Sequence, residues 1–580
     1  MCGILLAIQR QEELSRDFEP VWKQLEAMNS ARGPDAQESV RFAVSSDKTF
    51  PLDVRFFASE LRLRGDKPVV QPHVNSGNVL CWNGEVFEGI KMEASENDGI
   101  RLFETIKQIE NPSLELPAIF ESIEGPYAFC YFHKASNRIY FGRDPLGRRS
   151  LLIHRPTSQK PYLIVASVSA GANPFYDFEE IDTVHFHYVD LNNWSTGTGS
   201  EVLQTLGRSR NPGQTTDFST PARVNDAMTN TSPLVSSLID IPSTLLHVVE
   251  NLLDHLGRSV RLMVQDIPYH TEKGQARVAV LFSGGIDCTV LAYLADRYLP
   301  PDEPIDLLNV AFENPRKIQI RSDCAENIKK KRKSARSGTP DSVSVLGGGR
   351  FEPYLVPDRV TGLEELAELQ TTCPRRQWNF VEVDVTFEET TNYRPVVENV
   401  MHPCKTVMDL SLGLALYFAS RGIGRTKTGD SQKIPYASTA RVLLNGLGAD
   451  ELLGGYSRHR TVYDSGGWPA LTEELQLEID RIPARNLGRD DRIISSHGKE
   501  ARHPFLSLSV VNYLAKLPVH YKLDPRLPLG LGDKMLLRLA ARKVGLELAS
   551  SRKKRAMQFG SHSARMESGG SERKGDLILG

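Results

Sequence analysis

Val278-Ala-Val-Leu-Phe282-Ser-Gly-Gly-Ile-Asp-Cys288 decides the fold of the larger part of this chain. The apolar run 278–282 is too short for a helix and reads as a buried parallel strand. It ends in Ser283-Gly284-Gly285, after which a helical pattern begins. Glycines at such a turn let the backbone approach a ligand closely, and the first N–H groups of the next helix point at an anion. Asp287 stands where a carboxylate could hold Mg²⁺ against phosphate oxygens. The spacing differs from Gly-x-x-x-x-Gly-Lys-Ser/Thr, so this is another kind of phosphate loop.

Downstream, apolar strands at 306–312, 378–385 and 442–444 alternate with helical stretches, which implies an α/β sheet. The apolar run 410–420 falls short of the roughly 20 residues of a membrane span and reads as a buried helix segment. Upstream, a helix is expected over 243–265. Before it, 195–242 is rich in Ser, Thr, Asn, Gly and Pro and reads as a linker or surface excursion. Residues 2–190 read as short strands, among them 79–82, 127–133 and 138–142, with one amphipathic helix near 18–28 and turns between. The expected domains are 2–190, a linker and connecting helix at 191–270, an α/β domain at 271–565 and a tail at 566–580.

The bulk composition excludes several classes of function. The 580 residues are 40% apolar and 24% charged, with a formal net charge of −2, so nothing draws the chain as a whole to nucleic acid or membranes. Seven scattered cysteines without Cys-x-x-Cys spacing speak against a disulfide framework or a zinc site, and a reducing cytoplasmic setting fits. The basic run 329–336 reads as a solvated loop or as a patch for an anionic partner.

Cys2 lies next to the initiator Met1. Removal of Met1 would place a free α-amine, with a pKa of about 7.7–8, on the residue that carries the thiol. One residue then supplies both nucleophile and base. Arg32-Gly33-Pro34-Asp35 follows the first helix, Trp82-Asn83-Gly84-Glu85 follows a strand, Asn97-Asp98 precedes a helix, and Arg143-Asp144-Pro145 marks another turn. Together with Cys2-Gly3-Ile4, these elements resemble the class II glutamine amidotransferases. The resemblance implies an N-terminal-nucleophile αββα sandwich that hydrolyses glutamine through a thioester. It makes Cys2 the nucleophile, the Asn83 side chain and the Gly84 N–H the oxyanion donors, and Glu85 and Asp98 ligands of the substrate's ammonium end. Arg62 and Arg64 are both candidates for the substrate carboxylate, with Arg64 favoured because it adjoins the turn at Gly65.

Ser283-Gly-Gly-Ile-Asp287 resembles the pyrophosphate loop of ATP-pyrophosphatases, with Cys288 in place of the usual serine. Asn445-Gly-Leu-Gly-Ala-Asp450-Glu451, Lys499-Glu-Ala-Arg-His-Pro-Phe505, Asp533-Lys-Met-Leu-Leu-Arg538 and Lys554-Arg-Ala-Met-Gln-Phe559 extend the likeness to glutamine-dependent asparagine synthetases. Asp302-Glu-Pro-Ile-Asp-Leu-Leu-Asn-Val-Ala-Phe312, Phe418-Ala-Ser-Arg-Gly-Ile-Gly424, Gly455-Tyr-Ser-Arg-His-Arg460 and Lys554-Arg-Ala-Met-Gln-Phe-Gly560 are similar to the asparagine synthetase domain-containing protein 1 group. The resemblance implies ATP and Mg²⁺, with nucleotide contacts at Leu281, Ser283, Gly284, Gly285, Asp287, Val310, Asn445, Gly446, Asp450 and Lys534, and metal contacts at Asp287 and Asp450. It implies glutamine, ATP and aspartate as the small-molecule partners, with aspartate resting on family analogy. Leu447 stands where asparagine synthetases carry a glutamate that handles the adenylate and ammonia, and Ser507 where an aspartate ends the Arg-x-Pro-Phe-Leu-Asp element. Three readings follow: a glutamine-hydrolysing amidotransferase, a synthetase-impaired glutaminase or one with another acceptor, and a non-catalytic protein that keeps the fold.

Overall fold

A computed structural model of the chain describes residues 2–11, 18–46, 49–194, 202–208, 218–227, 232–270, 274–313, 353–427, 432–566 and 577–579. The basic run 329–336 lies outside them.

The N-terminal half is built around the strand Gly3–Arg10, whose residues are buried on both faces up to Gln9. Because side chains alternate along a strand, Ile4, Leu6 and Ile8 enter one core while Leu5 and Ala7 enter another. The strand lies inside a six-stranded sheet, between Thr49–Glu60 and Leu163–Ala166. A second six-stranded sheet is centred on Tyr127–His133 and Arg138–Arg143. The sheets pack face to face through Ile4, Leu6, Val54, Phe56, Cys81 and Phe141. The helix Phe18–Ser30 covers the outer face of the first sheet with Phe18, Val21, Trp22 and Leu25. Asp98–Ile106 and Pro112–Glu121 cover the outer face of the second. This is an αββα sandwich.

The stretch expected as a linker is only partly one. Leu203–Gly207 pairs with His185–Asp190 and forms the edge strand of the second sheet. Its sequence, Leu-Gln-Thr-Leu-Gly, buries only its first residue fully, so it lacks the apolar alternation by which a strand is recognised.

The C-terminal half contains a seven-stranded sheet. In spatial order its strands are Lys433–Ala437, Ile423–Lys427, Trp378–Val385, Ile305–Phe312, Val278–Leu281, Val442–Leu444 and Glu500–Arg502. The last five run parallel, and the first two form an antiparallel hairpin at one edge. Helices cover both faces, among them Ser243–Val264, Ile286–Asp296 and Met535–Lys543 on one side and Val407–Arg421 and Leu487–Ser495 on the other. The strand order reverses between Val278–Leu281 and Val442–Leu444. A ligand crevice is expected outside the carboxyl ends of strands at such a switch point, and both glycine loops open there.

Candidate active sites

Cys2 is 7% exposed. Its backbone N donates to Asn83 Oδ1 at 3.0 Å. The other end of that amide, Asn83 Nδ2, is buried and has no hydrogen-bond partner among the described residues. Gln71 holds the sulfur side: its Nε2 donates to Cys2 Sγ at 3.6 Å while its Oε1 accepts from Trp82 N at 2.9 Å. Burial pushes the Cys2 thiol up to about 12, so it rests as the neutral thiol and needs a base.

Gly84 ends the strand Asn78–Gly84, and a Cβ there would meet the Trp82 ring at 2.7 Å and Pro126 O at 2.8 Å. Next to it, Glu85 is buried and accepts from Arg64 Nε at 2.8 Å. Arg62 turns away and donates to Asp66 O and Tyr269 O. The two sequence candidates therefore separate, and only Arg64 joins the cluster. Asp98 begins its helix and accepts from Val86 N at 2.9 Å and Trp82 Nε1 at 3.3 Å. Burial, helped by Glu85, pushes Asp98 up to about 7.

Arg502, from the C-terminal sheet, reaches this cluster and pairs with Glu85 at 3.2 Å. Arg32 makes the corresponding reach from the other side. Its guanidinium donates to Cys2 O at 3.1 Å, Ser495 Oγ at 2.5 Å and Asp491 Oδ2 at 2.8 Å. Asp35 receives Arg441, and Arg148 donates to Leu506 O. The turn residue Asp144 accepts from the backbone N of Tyr127 and from Arg148, which shapes the loop that makes this contact.

All ten sequence-derived nucleotide residues line one cavity of about 430 Å³ in the C-terminal half. Leu281, Leu308, Val310 and Leu416 give it an apolar side. At the polar end, Lys534 Nζ lies 2.8 and 2.6 Å from the two carboxylate oxygens of Asp287 and 2.7 Å from Asp450 Oδ1. Lys554 donates to Asp450 Oδ2. Burial alone would lower the Lys534 pKa, but the two carboxylates outweigh it and keep the ammonium charged. Gly284 adopts φ 74°, and a Cβ there would fall 2.3 Å from Gly362 N, so this turn requires glycine. Asp358 also lines the cavity, and burial pushes its carboxyl up to about 7.

Among the described residues no cluster of three or more His, Cys, Asp or Glu side chains is arranged to hold a metal. The Asp287–Asp450 pair nevertheless suits Mg²⁺, which commonly takes one or two carboxylates and fills its remaining positions with phosphate and water. The cation already lying between those two carboxylates is a lysine ammonium.

Over 631 aligned residues the chain is 36% identical to asparagine synthetase domain-containing protein 1 of Bos taurus, covering 98% of this chain and 96% of the relative. The human protein of that name is 36% identical over 98% of this chain and 96% of its own length. A Drosophila melanogaster asparagine synthetase domain-containing protein is 32% identical over the whole of both chains. Residues 460–577 match the asparagine synthase family model. The chain belongs to the asparagine synthetase domain-containing protein 1 family.

Three positions where this family member departs from the asparagine synthetase pattern can now be located. Cys288 turns its thiol back to Gly285 O at 3.1 Å, within the glycine turn. Leu447 lines the C-terminal cavity and packs against the adjoining apolar core, presenting no proton-carrying group there. Ser507 caps the helix Leu508–Lys516 without a side-chain bond to its N-terminus. A carboxylate reaches that N-terminus from the other domain instead, as Glu124 Oε1 accepts from Leu508 N at 3.2 Å.

Sequence reasoning missed Gln71, Arg502 and Lys554 as site groups. Arg502 and Lys554 stood in motifs without an assigned role. Gln71 contacts Cys2 across 69 residues of chain, and no local pattern marks it. Among the described residues no helix is long and apolar enough to cross a membrane.

Proposed function

We propose that this protein is a glutamine-hydrolysing amidotransferase that delivers ammonia to a carboxylate activated by ATP, with aspartate as the acceptor by family analogy. The observation that carries the reading is the Cys2–Asn83 arrangement. One end of a buried amide accepts from the Cys2 nitrogen, and its other end is a buried donor without a partner among the described residues.

With Met1 removed, the α-amine of Cys2 takes the thiol proton and the sulfur attacks the glutamine side-chain carbonyl. Asn83 Nδ2 and the Gly84 N–H donate to the oxyanion, a contribution of about 2.7–4 kcal/mol per donor. The amine returns the proton to the departing nitrogen, ammonia leaves, and water cleaves the thioester to glutamate. Arg64 binds the substrate α-carboxylate, and Glu85 and Asp98 its ammonium.

In the C-terminal cavity Leu281 and Val310 would contact the base of ATP, and the Ser283–Gly285 turn and Lys534 its phosphates. Asp287 and Asp450 would hold Mg²⁺, which neutralises phosphate charge. The acceptor carboxylate attacks the α-phosphorus and pyrophosphate leaves. Ammonia then displaces AMP to form the amide. No membrane or nucleic-acid partner enters this scheme, and a reducing cytoplasmic setting suits the free Cys2 thiol.

Leu447 supports a second reading, in which the glutaminase is competent and the amidation slow or directed to another acceptor. General acid–base groups contribute about 10²–10⁴-fold, and Leu447 offers none. The glutaminase half is tested by following glutamate release from protein lacking Met1 beside a Cys2→Ala variant. Equal rates would end the assignment of Cys2.

A further inference from the structure

Four charged groups close the polar end of the nucleotide cavity on themselves. The Lys534 ammonium donates to both carboxylate oxygens of Asp287 and forms an ion pair at 2.7 Å with Asp450 Oδ1. The remaining oxygen of Asp450 accepts from Lys554. Two carboxylates and two ammonium groups sum to zero charge. The Lys534 side chain is 1% exposed.

The backbone fixes the cluster laterally. A Cβ at Gly455 would fall 2.0 Å from Asp450 Oδ1 and 2.4 Å from Lys534 Cε, and one at Gly446 would fall 2.8 Å from Asp287 Cβ. Lys534 itself adopts left-handed backbone, φ 50°, which a lysine rarely occupies. The neighbouring glycines and this backbone together aim the ammonium between the carboxylates.

Neither half of a metal nucleotide fits this cluster alone. A free divalent cation needs the oxygens that Lys534 occupies, and displacing the lysine would leave a buried ammonium without a counter-charge. A free triphosphate would meet two aspartates and find both lysines engaged. Arriving together they exchange cleanly, with the cation taking the aspartate oxygens and the lysines turning to phosphate oxygens.

We propose that Lys534 is a stand-in cation that keeps the Asp287–Asp450 pair closed to free divalent metal, and that Lys554 is a second phosphate ligand released from Asp450 in the same exchange. The inference rests on the nucleotide reading of the cavity. It adds the rule that metal enters only with nucleotide.

Mn²⁺ is the probe, followed by the electron paramagnetic resonance signal of the free ion in titrations of the full chain. With a non-hydrolysable ATP analogue present, and the Mn²⁺ taken up by the same analogue in protein-free buffer subtracted, one Mn²⁺ per chain is expected to bind. Without nucleotide, the affinity is expected to be weaker by tenfold or more, equivalent to about 1.4 kcal/mol or more. Lys534→Met is expected to bind Mn²⁺ without nucleotide more tightly than the wild type. Lys554→Met is expected to lose Mn²⁺–nucleotide affinity without that gain. Equal wild-type affinity with and without nucleotide, in samples where equilibrium dialysis shows the analogue bound, would overturn the stand-in role and leave the nucleotide reading intact, and it needs no variant to fold. A Lys554→Met gain equal to that of Lys534→Met would also overturn the assignment. No Mn²⁺ uptake under either condition would remove the nucleotide reading and this inference with it.

Discussion

Arg32 donates to Asp491 at 2.8 Å with both side chains wholly buried, and the same guanidinium donates to the carbonyl of Cys2. A residue of the N-terminal sandwich thus ties the candidate nucleophile to a helix of the α/β half. Removing one partner of a buried pair leaves an uncompensated charge and costs about 3–5 kcal/mol. Arg32→Met is expected to lower stability to urea by that order. Arg32→Lys is expected to recover little, because an ammonium cannot reproduce three bonds fixed in a planar fork. Equilibrium unfolding of both variants checks this.

Asn83→Ala removes the unpartnered Nδ2 donor. Loss of one oxyanion donor lowers kcat by about 10²–10³-fold. The expectation is a fall of that size in glutamate release, with a much smaller change in KM. A change confined to KM would assign Asn83 to substrate binding instead.

Glu60 sits in the strand that pairs with Gly3–Arg10, and its side chain accepts from Val69 N at 2.5 Å. Burial pushes its carboxyl up to about 7 from the ordinary 4.5. The folded protein therefore holds this proton more tightly than the unfolded chain. Its stabilising contribution is complete below the unfolded value and is lost as pH rises through about 7. Glu60→Gln carries no such linkage, so its melting temperature relative to wild type is expected to rise between about pH 5 and about pH 8. A constant difference would contradict the shift.

Leu447→Glu restores a proton-carrying group to the cavity wall. If amidation is limited there, the variant is expected to form more amide per ATP consumed, by up to the 10²–10⁴-fold range of general acid–base catalysis. Amide formation with ammonium chloride as the nitrogen source isolates this step from the glutaminase.

The grouping of the candidate site residues was largely legible because they lie in short segments whose local geometry is fixed by strand ends and glycine turns. Val278–Leu281 alternates between two cores, with Val278 and Val280 on one side and Ala279 on the other, and the loop after it opens at the switch point of the sheet. The expected helix near 18–28 is Phe18–Ser30, and 410–420 lies within the buried helix Val407–Arg421. Long-range contacts were not legible. Gln71 reaches Cys2, Arg502 reaches Glu85, and Glu124 stands in at the helix end where Ser507 offers no carboxylate. Each depends on how the sheets and domains pack, which no periodicity encodes. The choice between Arg62 and Arg64 was of this kind, since residues two apart on an extended segment differ only in which neighbours the fold brings to them.

The most direct test follows glutamate and pyrophosphate together in one sample of protein lacking Met1, given glutamine, Mg-ATP and aspartate. The expected result is release of both, with pyrophosphate dependent on the acceptor and glutamate lost in Cys2→Ala. Glutamate without pyrophosphate or AMP would contradict the claim that the two sites serve one reaction.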